Sequence, residues 1–132
     1  MFINLLNDLP GFIWGGPCED AFNWVASNHP VLMAAWVLYG DMPPHALTFA
    51  AEALGKIEDS ELVMKVLEPL LDHPDAVVRE GVLYGLSGHY NNKPEVGRKI
   101  GLMAKNDLSA GVRHAAKDEY DYWIIDHPHE QE

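Results

Sequence analysis

The first 55 residues contain neither lysine nor arginine, and the first cation is Lys56. Over all 132 residues, nine Lys and Arg stand against 20 Asp and Glu, a formal net charge of −11 with the seven His neutral. A protein that neutralises nucleic-acid phosphates or clings to an anionic leaflet needs clustered cations. No nucleic-acid or membrane partner is therefore expected. Cysteine is nearly absent. Cys18 alone allows no intramolecular disulfide, which suits a reducing compartment. No apolar run reaches the roughly 20 residues of a membrane span. The apolar opening MFINLLNDLPGFIW lacks a basic region and is interrupted by Asn4, Asn7 and Asp8, so it does not read as a signal peptide. The expected location is cytoplasmic.

Chemical motifs are missing as well. There is no His-Glu-x-x-His, no Cys pair, no Gly-rich phosphate loop and no Gly-x-Ser-x-Gly. Cys18 follows Pro17 at an expected helix start, but Glu19 and Asp20 beside it would raise a thiol pKa, and no His lies near it in sequence. His127, His129 and Glu130 sit on a terminal tail without the helical spacing that fixes a metal site. No catalytic residue, metal or cofactor is assigned, and an enzyme is not expected.

What is present is a foldable chain. At 48% hydrophobic and 10% aromatic it is too apolar for a disordered acidic tail, and its length suits a single domain with a real core. Pro and Gly punctuate it regularly, and the segments between show helical periodicity with almost no strand-like alternation. Phe22, Val25 and Ala26 share one face. Leu62, Val63, Val66, Leu67, Leu70 and Leu71 form a broad buried stripe. Pro30, Pro44, Pro74 and Pro94 stand where a first helical residue needs no N–H donor, and Asp59 and Asp107 read as N-caps. Seven helices are predicted, near 18–28, 30–40, 44–56, 60–72, 75–88, 94–105 and 108–126.

The helices recur in sequence. The small-residue segment Ala46–Gly55 aligns with Val78–Ser87 and then with Val112–Ala116, and a Val-Arg pair closes on Arg79 and Arg113. A period of thirty-odd residues with two helices in each is a solenoid signature. Arg79 at i+4 from Asp75, and Arg113 beside Asn106 and Asp107, are expected to hold the inter-helix turns. Gly97 and Gly101 read as a close helix contact.

The stretch FAAEALGKIEDSELVMKVLEPLLDHPDAVVREGVLYGLSGH, Phe49 to His89, resembles the short HEAT repeats of phycobilisome-lyase-like proteins. The likeness is strongest from Phe49 to Leu86 and continues through Ile125. Before residue 44 the chain departs from the pattern, with Leu47 where an Arg would stand. The resemblance implies an all-α, right-handed α-solenoid of about three HEAT-like helix pairs with an N-terminal capping segment. The expected division of this single domain is a cap at 1–28, repeats at 30–57, 59–89 and 93–126, and a tail at 127–132.

Solenoids of this kind present a groove lined by the second helix of each pair. Thr48, Glu52, Glu80, Leu83, Tyr84, His114, Lys117 and Asp121 are its candidate lining residues, and Asp118 is a further candidate for partner binding. Six carboxylates and no cation occupy residues 118–132, an acidic end suited to a basic partner. Seven of the 13 aromatics fall in the first 39 residues, and Phe12 and Trp14 are candidate anchors for a partner or a second copy. The expectation is a non-enzymatic protein-binding module: a small acidic inhibitor or immunity-type protein covering a basic surface. The alternatives are an adaptor or homo-oligomer assembling through the aromatic end, and a lyase or lyase subunit with a pocket in the groove. A DNA glycosylase, another user of HEAT-like repeats, fails on charge.

Overall fold

The computed structural model describes residues 18–130, and these form an all-helical domain without strands. Helix α1 spans Cys18–Asn28, α2 Pro30–Tyr39, α3 Pro44–Leu54, α4 Ser60–Leu67, α5 Ala76–Leu86, α6 Pro94–Asn106 and α7 Ala110–Ile125. A 3-10 segment, Glu68–Asp72, prolongs α4, and a single turn, Pro128–Glu130, follows α7.

Local chemistry explains the boundaries, including those that differ from expectation. Pro30, Pro44 and Pro94 are first helical residues as read. Each holds its predecessor outside the α region, most clearly Pro43 at φ −65°, ψ 155°. Pro74 does not open α5; Asp75 is the N-cap, its Oδ1 accepting the Val77 N–H at 2.9 Å. Asp59 caps α4 as expected, accepting from Leu62 N at 3.2 Å. Asp107 is not the cap of α7. Ser109 is, with Oγ accepting from Val112 N at 3.3 Å, while Asp107 accepts the Ser109 N–H at 2.9 Å. The expected helix 60–72 does not stay α-helical. Pro69 has no N–H and its ring crowds the carbonyl four residues back, so the chain tightens into 3-10 turns after Leu67.

The helices alternate between two rows. In one, α1 packs on α3, α3 on α5 and α5 on α7; the even-numbered helices back this row, with α2 touching α4. The α3–α5 crossing is among the closest, and small residues make it possible. A Cβ on Gly81 would lie 2.6 Å from the Thr48 carbonyl oxygen, and one on Gly85 would press on the Ala51 carbonyl oxygen. Gly97 and Gly101 do the same for α6 against α7, where Trp123 and Tyr120 fill the space a Cβ would need. One contiguous core runs through the described residues. Phe22 meets Trp36 edge-on at 5.0 Å, joining α1 to α2, and Leu54, Leu67, Val82, Leu86 and Ile100 are fully buried between the rows.

One polar network crosses between successive helix pairs. Arg79 does not turn back to Asp75 as its i+4 spacing suggests. Its Nε and Nη2 donate to the two carboxylate oxygens of Asp107 at 3.0 and 2.9 Å, and its Nη1 donates to the carbonyls of His73 and Pro74. Asp75 is already engaged as a cap, whereas Asp107 offers a fork-to-fork partner. Arg113 does hold its own turn, donating to the Asp107 carbonyl at 2.6 Å.

Candidate functional site

The exposed face of the odd-numbered row is where the chain's charge becomes organised. Among the described residues, α1 and α3 carry no cation, and α5 and α7 carry only Arg79, Arg113 and Lys117. Arg79 and Arg113 are spent on the turn network, and Lys117 is paired with Asp121 at 2.6 Å. Lys65, Arg98, Lys99 and Lys105 all lie on the even-numbered helices. Folding thus leaves the odd face acidic apart from Lys56, just beyond α3, which donates to Asn23 on α1.

Helix α5 lies between α3 and α7, so only a narrow strip of it reaches solvent, through Val77, Glu80 and Tyr84. Leu83 is a correction to the sequence-based groove: it is fully buried, one helical step (about 100°) off that strip. Thr48 is half-buried and faces Gly81 at the helix crossing. Glu52 and Glu80 are half-buried, and His114, Lys117, Asp118 and Asp121 are exposed along α7. His114 approaches Asp118 at 3.6 Å. Phe12 and Trp14 lie outside the described residues.

Tyr84 is the centre of this face. Its ring is half-exposed, and its hydroxyl is pushed above the ordinary phenol range, first by partial burial and then by the charges of Glu80, Asp118, Glu52 and Glu119. Four carboxylates from three helices therefore lie near enough for their charges to act on one aromatic side chain.

Two depressions lie along this row, the first of them against Tyr84. One, of about 460 Å³, lies between α1, α3 and α5 and is lined by Asn23, Glu52 and Tyr84; at its edge Lys56 donates to Asn23 Oδ1 at 3.0 Å. The other, an open cleft of about 450 Å³, lies between α7 and the α5–α6 connection, with Tyr90, Asp118, Glu119, Tyr122, Trp123 and Asp126 among its walls and no Lys or Arg. Its volume falls in the range of small-molecule sites, but its polar lining is dominated by carboxylates. Glu119 is anchored there: the Tyr90 hydroxyl donates to its Oε1 at 3.2 Å. Burial raises the Glu119 carboxyl above its usual range against the hydrogen bonds from Ser87 and Tyr90, and the Asp118 charge adds to the rise. Tyr90, buried beside that carboxylate, is raised too. His127 stacks on Trp123 at 4.1 Å, and its ring nitrogens lie 2.9 Å from the carbonyls of Trp123 and Asn91, tying the end of α7 to the cleft wall.

Sequence reasoning missed Tyr122 and the cleft. The available signal was the i, i+4 pair Asp118-Tyr122, which shares one face of α7, with Asp126 as its C-cap one turn further on. Tyr90 and Asn91 come from a connection, and no periodicity announces them. Among the described residues no group of three or more His, Cys, Asp or Glu is placed to hold a metal ion, and no helix is long and apolar enough to cross a membrane. The chain matches no protein-family model, no curated protein and no solved structure.

Proposed function

We propose that this protein is a non-enzymatic protein-binding module, a HEAT-like right-handed solenoid of about three helix pairs, whose acidic odd-row face covers a basic surface on a partner. The observation that carries this reading is that the charges of Glu52, Glu80, Asp118 and Glu119 all act on the half-exposed Tyr84. A continuous negative field around an aromatic anchor suits a partner rich in Lys and Arg. It would speed encounter and set orientation, and salt would screen it. An inhibitor or immunity-type role, masking a surface that otherwise meets nucleic acid, is the form of this function that the charge favours.

The test is capture of partners from native lysate at low and high salt, followed by affinity measurement on the purified pair. Binding is expected to weaken steeply as salt rises and to be lost in Glu52→Lys/Glu80→Lys. A salt-independent affinity for that partner, unaffected by the reversal, refutes the reading.

A second reading has its own observation. Helix α2 carries no charge and leaves Val31, Leu38 and Tyr39 exposed on one side, so an apolar face stands at the opposite end from the acidic cleft. Self-association through this end predicts a dimer in sedimentation at high protein concentration that Leu38→Lys/Tyr39→Lys dissociates. A monomer throughout the concentration series removes it.

A further inference from the structure

The bridge just beyond the end of α7 asks for more protons than a neutral histidine holds. His127 is half-buried, its ring lies flat on that of Trp123 at 4.1 Å and 12°, and each of its ring nitrogens stands 2.9 Å from a backbone carbonyl oxygen. Nδ1 faces the carbonyl of Trp123, four residues back in the chain. Nε2 faces that of Asn91, 36 residues away on the α5–α6 connection. A carbonyl oxygen can only accept, and a neutral imidazole carries one N–H and one lone pair. A neutral ring here therefore points a lone pair at an oxygen, whereas the imidazolium donates to both. His89 supplies the contrast. Its Nε2 lies 2.6 Å from the Gly55 carbonyl, but its Nδ1 lies 2.7 Å from the Ser60 hydroxyl, which can donate. A neutral ring satisfies that pair of contacts and cannot satisfy the pair at His127.

We infer that His127 is a proton-operated latch on the cleft: a second proton on its ring ties α7 to the α5–α6 connection, and loss of that proton releases the connection. Asn91 lines the cleft on one side and Trp123 and Asp126 on the other, so the bridge spans its two walls. The contact that gives way is the one to Asn91. The Trp123 carbonyl is held beside Nδ1 by the short run of chain between them, so the single proton of the neutral ring settles there, and the bare Nε2 is left against the Asn91 oxygen. The indole face beneath attracts the charged ring. The charged and titratable groups on the elements that meet here are Asp118, Glu119, Tyr120, Tyr122 and Asp126 from α7 and its cap, His129 and Glu130 on the following turn, Tyr90 and Lys93 on the connection, and Glu95 and Arg98 on α6. Arg98 is paired with Glu130 at 2.7 Å, and the His129 ring lies 6.3 Å from that of His127. Carboxylates outnumber Lys and Arg in this set, so the second proton does not enter a positive field. The fold thus couples a proton exchanged in the imidazole range to the firmness of a cleft wall, whatever the cleft receives.

Nitrogen NMR of the intact, labelled protein at about pH 5 and about pH 8, on either side of the imidazole range, tests the latch. At the lower pH both ring nitrogens of His127 are expected to carry a proton. The Lys93 N–H, bonded to the Tyr90 carbonyl at 2.9 Å within the connection, should then be at its most protected from exchange. At the higher pH the ring proton should remain on Nδ1 alone, and the Asn92 amide, joined to the Asn91 carbonyl, should shift. Protection of the Lys93 N–H, corrected for intrinsic exchange, should fall about tenfold, the worth of one charge-assisted hydrogen bond. His127→Gln offers a donor but takes up no proton, and it should abolish the difference between the two pH values, while His129→Gln should keep it. A connection equally protected at both pH values in the wild type overturns the inference. So does a neutral ring protonated on Nε2 with the Asn91 contact kept, or a pH response that persists in His127→Gln. The wild-type comparison is decisive by itself, so the test stands even where a variant fails to fold.

Discussion

Replacing Arg79 by Ala would remove the fork-to-fork pair with Asp107 and the two bonds to the His73 and Pro74 carbonyls. The side chains of the pair are only 14% and 9% exposed. Asp107 would keep the Ser109 N–H and the nearby charge of Arg113, so its carboxylate would be underpaired but not abandoned. Breaking one side of a fully buried pair costs about 3–5 kcal/mol, and partial burial with the surviving contacts lowers this case to about 2–3. Against a total of about 5–15 kcal/mol that is a large fraction, and in a domain of this size it lowers Tm by roughly 10 °C. Urea denaturation of wild type, Arg79→Ala, Asp107→Ala and the double variant, followed by helical circular dichroism, measures it. The two single losses should not add, leaving a coupling of about 2 kcal/mol. The pH dependence gives a second check. Burial alone would raise the Asp107 carboxyl, but the bonds from Arg79 and Ser109 and the charges of Arg79 and Arg113 outweigh it and hold it below its usual range. Its contribution is therefore complete above the unfolded value of about 3.9 and is lost as pH falls through the lower folded value. The stability gap between wild type and Asp107→Asn should stay constant from neutral pH down to about 5 and close only in strong acid. Single variants that cost less than about 1 kcal/mol, or fully additive ones, would refute this account of the inter-helix network.

Two glycines on either side of the α5 terminus should fail for different reasons. Gly85→Ala pushes a Cβ against Leu67 Cδ1 at 2.8 Å and the α3 backbone at Ala51, and overpacking of about 1–3 kcal/mol should exceed the gain in helix propensity. Gly88→Ala meets nothing within 4 Å, yet its φ of +83° should cost about 1 kcal/mol; an unchanged urea midpoint would show that the turn relaxes. Glu119→Gln keeps the acceptor for Tyr90 while removing a charge that burial disfavours. Because the folded carboxyl lies above its usual range, wild-type stability falls as pH rises through and beyond the ordinary Glu value, and the variant should lose less between pH 4 and 7. Parallel urea titrations at those two pH values decide it, and a larger loss in the variant reverses the sign of the argument.

Much of the helical layout was legible because it is local. Proline at first helical positions, Asp59 as a cap and the apolar faces of Phe22–Ala26 and Leu62–Leu71 act within a few residues of where they stand in the chain. Misreadings occurred where a local rule had a tertiary competitor. Asp107 looked like a cap, but Arg79, 28 residues earlier in sequence, claims its carboxylate. Leu83 looked like a groove residue, but α3 and α7 close over all but one strip of α5. Pro69 and Pro74 are exceptions, both local: the first tightens the end of α4 into 3-10 turns, and the second yields the start of α5 to the cap at Asp75.

Composition and periodicity by themselves determined that the described residues are all-helical and that the chain is acidic and poor in cations at its N-terminal end, because those properties are sums or short-range patterns. Only the tertiary structure decided where the acidity acts. Glu52, Glu80, Asp118 and Glu119 are separated by up to 67 positions (119 minus 52), and their charges act together on Tyr84 only because α3, α5 and α7 lie side by side. The electrostatic interaction depends on distance through space, and helix packing sets that distance.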